Sequence, residues 1–158
     1  MAATFRMTVG MRKRHKDVPV FFKQDGKRFP LSKTVKLNVN TPYNVIIALE
    51  PPRLLERVII HGDPLTPKLL EGNSSKSVFL QEWSSESADF SPSGKRTDIT
   101  FIIEFQESIT MKTTLQCKFY KQKEKDHCLW GTRLNGIEYL CRIPEGSTYA
   151  EIMEEQYL

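Results

Sequence analysis

This chain of 158 residues lacks most of the features that give a protein's chemistry away. No run approaches the ~18 consecutive apolar residues of a membrane-spanning helix. The opening Met1-Ala2-Ala3-Thr4-Phe5-Arg6 has no apolar centre, so a secretory signal is not expected. Ala2 stands where N-myristoylation needs glycine, and the last residues are Gln156-Tyr157-Leu158 rather than a prenylation box. No lipid anchor is therefore expected at either end. Cysteine and histidine are scarce, three of each. An odd number of thiols without a signal segment points to reduced cysteines in a cytosolic compartment, where the sequon Asn73-Ser74-Ser75 has no use. The chain has no Gly-rich phosphate loop, nucleophile elbow or zincin motif, which removes the commonest enzyme signatures.

What is present is the composition of an ordinary globular protein, of a length that fits one domain over residues 1–158. The formal net charge of +4 is unevenly placed. Arg12-Lys13-Arg14-His15-Lys16 is a basic run, whereas Glu151, Glu154 and Glu155 give an acidic end. The basic run suits acidic peptides or anionic lipid headgroups, and equally a solvated loop between strands. Nucleic acid is not an expected partner, because the basic runs are not interleaved with an aromatic stacking platform.

Strand signals dominate. Phe5, Met7, Val9 and Met11 alternate with Thr4, Arg6, Thr8 and Gly10, the period-two pattern of a strand with one buried face. Val18 to Phe22 and Arg28 to Leu31 flank Asp25-Gly26, a hairpin signal. Val35-Leu37-Val39 and Tyr43-Val45-Ile47-Leu49 follow, and Pro51-Pro52 stops the latter. The next strand buries either Leu55, Arg57 and Ile59 or the neighbours Val58 and Ile60. Strands are also expected over Ser77 to Trp83, at Ile99-Phe101-Ile103-Phe105, over Thr113 to Tyr120 and over Ile137 to Cys141. Ser84 to Arg96 reads as a long surface loop. Thr148 with Glu151 forms a capping box, and Tyr149, Ile152, Met153 and Tyr157 fall at helical spacing, which predicts one short C-terminal helix. The fold class expected is all-β: an antiparallel barrel or sandwich of about 9–10 strands closed by that helix.

The most suggestive cluster is Asp126-His127-Cys128. A cysteine nucleophile needs a histidine within hydrogen-bond reach and a third group to orient it. Neighbours on an extended chain point to opposite faces, which separates His127 from Cys128. Cys117 and Cys141 sit in apolar alternation and read as small buried hydrophobes. A metal set of Cys117, His127, Cys128 and Cys141 has no recognised ligand spacing, and His15 and His61 stand alone. Glu104 and Glu107 could pair as carboxylates, but nothing in the sequence tunes either. No catalytic residue, cofactor or metal is expected. Lys121, Lys123 and Lys125, if extended, would share one face as a basic stripe for acidic segments. Trp130 reads as a packing anchor, with Gly131 allowing the turn.

Lys118-Phe119-Tyr120, Asp126-His127-Cys128 with Trp130-Gly131, Ile137-Glu138-Tyr139 and Cys141 resemble the C-terminal half of the cannabinoid type-1 receptor-interacting protein family. Pro19-Val20-Phe21 with Lys23, Asp25-Gly26, Arg28-Phe29 and Thr34-Val35-Lys36-Leu37 resemble its N-terminal half. The likeness runs along nearly the whole chain. It departs over Glu71 to Thr97 (apart from Ser93-Gly94 with Arg96), between Tyr120 and Asp126, and at Cys117, as in a divergent branch or paralogue. The resemblance implies a fold similar to the Rho guanine-nucleotide dissociation inhibitors. It also implies a non-enzymatic cytoplasmic adaptor at the inner face of the plasma membrane. That adaptor would bind the C-terminal tail of a cannabinoid-type G-protein-coupled receptor and damp its constitutive signalling, with G-protein alpha subunits as further partners.

Charge and position nominate Lys68, Lys121, Lys123 and Lys125 for tail contact. The alternative is a carrier that takes an acylated or prenylated peptide into an apolar interior. A monomer is expected, held at the membrane only through its partners.

Overall fold

The computed structural model describes residues 3–158; the expectations made at Met1 and Ala2 lie outside them. Alternation sets the first strand, β1 (Ala3–Lys13): Phe5, Met7, Val9 and Met11 are buried while Arg6, Thr8 and Arg12 face outward. The chain continues through β2 (Phe21–Gln24), β3 (Lys33–Asn38), β4 (Pro42–Glu50), β5 (Leu55–Ile60), β6 (Asp63–Leu65), β7 (Lys68–Gly72) and β8 (Ser77–Ser84), with the same alternation clearest in β4 and β8. β9 (Thr97–Phe105), β10 (Thr110–Tyr120), β11 (Thr132–Arg133), β12 (Ile137–Ile143) and β13 (Glu151–Tyr157) complete the chain. On β5 a bulge between Leu55 and Arg57 selects Leu55, Val58 and Ile60 as the buried set.

The strands form two sheets. A six-stranded sheet runs β13-β12-β1-β4-β8-β7, and a seven-stranded sheet runs β11-β2-β3-β10-β9-β5-β6. All pairings are antiparallel except β3 with β10. The sheets stay separate, so this is an open sandwich and not a closed barrel. Its interior is filled by large side chains of both sheets, among them Trp83, Tyr43, Tyr139, Phe101 and Phe119. Tyr43 and Trp83 stack at 5.9 Å between centroids, and the Trp83 indole N–H donates to Asp63 at 3.1 Å. Among the polar side chains buried there, one stands without partners. Gln81 on β8 is 0% exposed, and neither its amide oxygen nor its amide nitrogen has a partner.

The C-terminal helix is not formed. Residues 151–157 are a strand at the edge of the six-stranded sheet, paired with β12. Thr148 and Ala150 exchange backbone hydrogen bonds with Thr110, and the Glu151 carboxylate accepts from Arg142 rather than capping a helix. A bulge opposite Leu140 and Cys141 leaves Met153 without a register partner. The inward residues are Ile152 and Tyr157, and the helical spacing is completed only by Tyr149 and Met153, apolar side chains that are in fact exposed. A helix this short offers few internal bonds, whereas the strand completes a ladder.

The Asp25-Gly26 turn also differs from expectation. The Asp25 N–H bonds Ser32, so the second strand starts at Lys33 and not at Arg28. Asp25 and Arg96, both nearly buried, form an ion pair at 3.3 Å that Thr34 joins, and the Arg96 guanidinium lies 4.2 Å from the Phe29 ring centroid. Burial would raise the Asp25 carboxyl, but hydrogen bonds from Thr34 and Arg96 outweigh it and hold the group below its ordinary value.

Candidate functional site

The segment expected to be an extended basic stripe is a compact series of turns from Lys121 to Trp130. β3 explains why. It is buried on both faces: Val35 and Leu37 enter the core, while Thr34, Lys36 and Asn38 on the other side are covered by loops. The Asn38 amide donates to the carbonyls of Lys121 and Glu124 at 2.8 and 2.9 Å. Lys36, 4% exposed, donates to the carbonyls of His127 and Trp130. Desolvation, and then Lys23 nearby, push its ammonium pKa down. From inside the loop, the Glu124 carboxylate accepts the backbone N–H of His127 at 2.9 Å and of Cys128 at 3.1 Å. Those bonds overcome its partial desolvation and hold its carboxyl below the usual range. Gly131 ends the loop at φ +124°, where a Cβ would lie 2.7 Å from the Phe22 carbonyl oxygen.

This pinned loop meets two others. The Lys13 N–H bonds the Val18 carbonyl at 2.8 Å, Arg12 engages Asp17 at 2.6 Å, and Lys16 and Asp17 both have positive φ. Thr41 is fixed by the buried Ser85 hydroxyl at 3.0 Å. Between them opens a cleft of about 410 Å³ lined by the lysines Lys13, Lys16, Lys123 and Lys125 and by the imidazole of His15. Val18, Pro42 and Leu129 supply its apolar lining. Three acids of the flanking segments are committed elsewhere, Asp17 to Arg12, Glu82 to Arg14 and Glu124 to backbone N–H groups, while Asp126, next to Lys125, is exposed. Among the described residues, Lys13, Lys16, Lys123 and Lys125 have no carboxylate within ion-pair distance.

Two of the four residues nominated from sequence, Lys123 and Lys125, line this cleft. Lys121 does not line it, and its ammonium lies 5.6 Å from the Phe90 ring. Lys68 sits on the edge strand β7 against Leu80, beside a separate recess of about 240 Å³ shared with Leu65 and Glu82. The partners that sequence nomination missed are Lys13, His15 and Lys16. Their basic run was visible, but nothing local joins it to residues 123–129.

His127 and Cys128 do diverge, for a reason other than extended geometry. The turn leaves His127 exposed and sends the Cys128 sulfur inward to the Asn38 side-chain oxygen at 3.0 Å. Burial pushes that thiol up to about 11, and it pushes Cys141 up to about 12. Cys117 and Cys141 are core residues, as their apolar settings implied. Glu104 and Glu107 are paired not with each other but with Arg57 and Arg53. Trp130 is no packing anchor: it is 73% exposed, its ring 5.6 Å from the Lys36 ammonium.

At the other end of the sandwich a recess of about 590 Å³ is lined by Pro51, Pro52, Arg53, Leu54, Gln106 and Glu107. Its arginine is ion-paired to Glu107 and lies 4.7 Å from the Phe5 ring centroid.

An open β-sandwich with buried thiols and an unneutralised, apolar-lined cleft at one end has the build of a binding domain. The whole-chain pattern of the CB1 cannabinoid receptor-interacting protein 1 family matches residues 1–157, and the chain belongs to that family. It is 33% identical to the rat CB1 cannabinoid receptor-interacting protein 1 over 156 residues, covering 97% of this chain and 95% of the relative. The human and mouse proteins of that name are 32% identical over the same coverage. No helix among the described residues is long and apolar enough to cross a membrane.

Proposed function

We propose that this protein is a non-enzymatic adaptor that binds the C-terminal tail of a cannabinoid-type G-protein-coupled receptor in the cleft between Lys13, Lys16, Lys123 and Lys125. Bound there, it damps the receptor's constitutive signalling from the cytoplasmic face of the membrane, with G-protein alpha subunits as further partners. One observation carries the reading: four lysines without carboxylate partners converge on a surface that also offers Val18, Pro42 and Leu129. An acidic, partly apolar segment would neutralise the lysines and cover the apolar side chains together. The test is titration of a receptor-tail peptide against the parent protein and against Lys123→Glu/Lys125→Glu. We expect a loss of roughly tenfold or more and a weaker dependence on salt. Equal affinity would sink this assignment.

Gln81 favours a second reading, a carrier for an acylated or prenylated peptide. A buried amide without partners could meet a ligand's polar linkage, provided the side chains that fill the interior part to admit its chain. Myristoylated and unacylated forms of one peptide separate the two readings, since equal affinities reject the carrier.

A further inference from the structure

The end of the sandwich that carries the cleft also holds two exposed aromatic side chains. Trp130 is 73% exposed and Phe90 is 48% exposed. Each is backed by a cation: Lys36 beneath Trp130 at 5.6 Å, and Lys121 beside Phe90 at 5.6 Å. The loop that carries Lys121, Lys123 and Lys125 ends at Trp130, and the buried Lys36 and Asn38 hold it in one conformation. The tryptophan is thus presented rigidly outside the core. Lys36 is buried and spent on the loop's carbonyls, so the cations available to a surface are the exposed lysines of the same loop. An exposed indole beside them suits a phospholipid interface, where the ring sits at headgroup level and the lysines meet phosphate and carboxylate. Glu86, Asp89 and Asp126 share this end, so the cationic surplus is moderate and a weak, reversible contact is expected.

We propose that this end of the protein docks directly on an anionic phospholipid surface, with Trp130 and Phe90 entering the interface and Lys121 on the headgroups. The contact uses residues around the cleft's loop rather than the cleft itself, so it does not depend on tail binding. It replaces the expectation that partners alone hold the protein at the membrane. Receptor tails emerge from the same surface, so an adaptor oriented this way would meet its peptide already concentrated near the bilayer.

The chain's two tryptophans make the test selective. Trp83 is 1% exposed and supplies a constant emission, so a change on adding vesicles reports Trp130. The protein alone is mixed with phosphatidylcholine vesicles, with or without about one third phosphatidylserine, to set the surface charge. We expect co-sedimentation and a blue shift of emission only with phosphatidylserine. Lys121→Gln should lower partitioning about fivefold, the loss of one surface cation. Trp130→Ser should remove the shift and weaken sedimentation, and Phe90→Ser should weaken it independently if Trp130→Ser fails to fold. Equal binding to neutral vesicles, absence of sedimentation, or charge-dependent sedimentation with unchanged emission would each overturn the proposal. A protein that binds receptor-tail peptide but ignores both vesicles overturns it while leaving the tail reading intact.

Discussion

The two ends of the sandwich are spanned by the same strands and use charge in opposite ways. β1 and β4 reach one end at Lys13 and Pro42, and β4 reaches the other at Glu50. Where they meet the 121–130 loop, Glu124 is occupied with backbone N–H groups and the lysines around it keep no acidic partner. Where they meet the 106–109 turn, Glu107 is occupied with Arg53, and the arginine covers the Phe5 ring. One glutamate organises a loop and leaves cations free; the other neutralises the cation beside it. A recess of larger volume therefore has less to offer a charged partner. On the proposed reading, the availability of charge counts for more than the size of the opening, and a charged partner is expected at the lysine end.

That contrast can be broken from either side. The largest effect is expected from Gly131→Ala, which places a Cβ against the Phe22 carbonyl at positive φ. We expect a loss of about 3 kcal/mol in denaturant unfolding, with tail affinity falling in parallel as the loop loses its seat. Lys13→Glu with Lys16→Glu should weaken a receptor-tail peptide by roughly tenfold, about 1.4 kcal/mol, although these residues are remote in sequence from Lys123. Glu107→Lys at the opposite end should leave that affinity unchanged in the same titration. Gln81→Met replaces a buried amide without partners by an apolar side chain of similar length. It should raise unfolding stability by about 1 kcal/mol, and a loss instead would mean that the amide has an interior partner. Glu107→Gln should cost under about 0.5–1 kcal/mol by thermal melting, because Glu107 is largely solvated.

The strands that bury one face were legible because period-two alternation is the burial pattern itself. β1, β4 and β9 alternate without interruption between buried and more exposed residues from Phe5, Tyr43 and Ile99 onward. β7 was not legible, since all five of its residues are exposed at a sheet edge and no alternation is imposed on it. β13 reads as a helix because the exposed apolar residues Tyr149 and Met153 complete a helical spacing with the inward Ile152 and Tyr157, while a bulge breaks the two-residue period. At the site, the lysines of the 121–125 segment were visible as charge, but not their geometry. Buried polar side chains of β3 fold that segment into turns, and Lys36 and Asn38 appear in sequence only as ordinary polar residues of a strand. Nothing in the sequence around Trp130 distinguishes a packing anchor from an exposed indole. Its neighbour Cys128 enters the interior instead, through the Asn38 contact.

The most direct test is chemical-shift mapping of the isotopically labelled protein during titration with a receptor-tail peptide. The largest shifts are expected at Lys13 to Val18, Asn40 to Pro42 and Gln122 to Leu129. Shifts concentrated instead at Pro51 to Leu54 and Gln106 to Glu107, with the lysine end unmoved, would contradict that expectation.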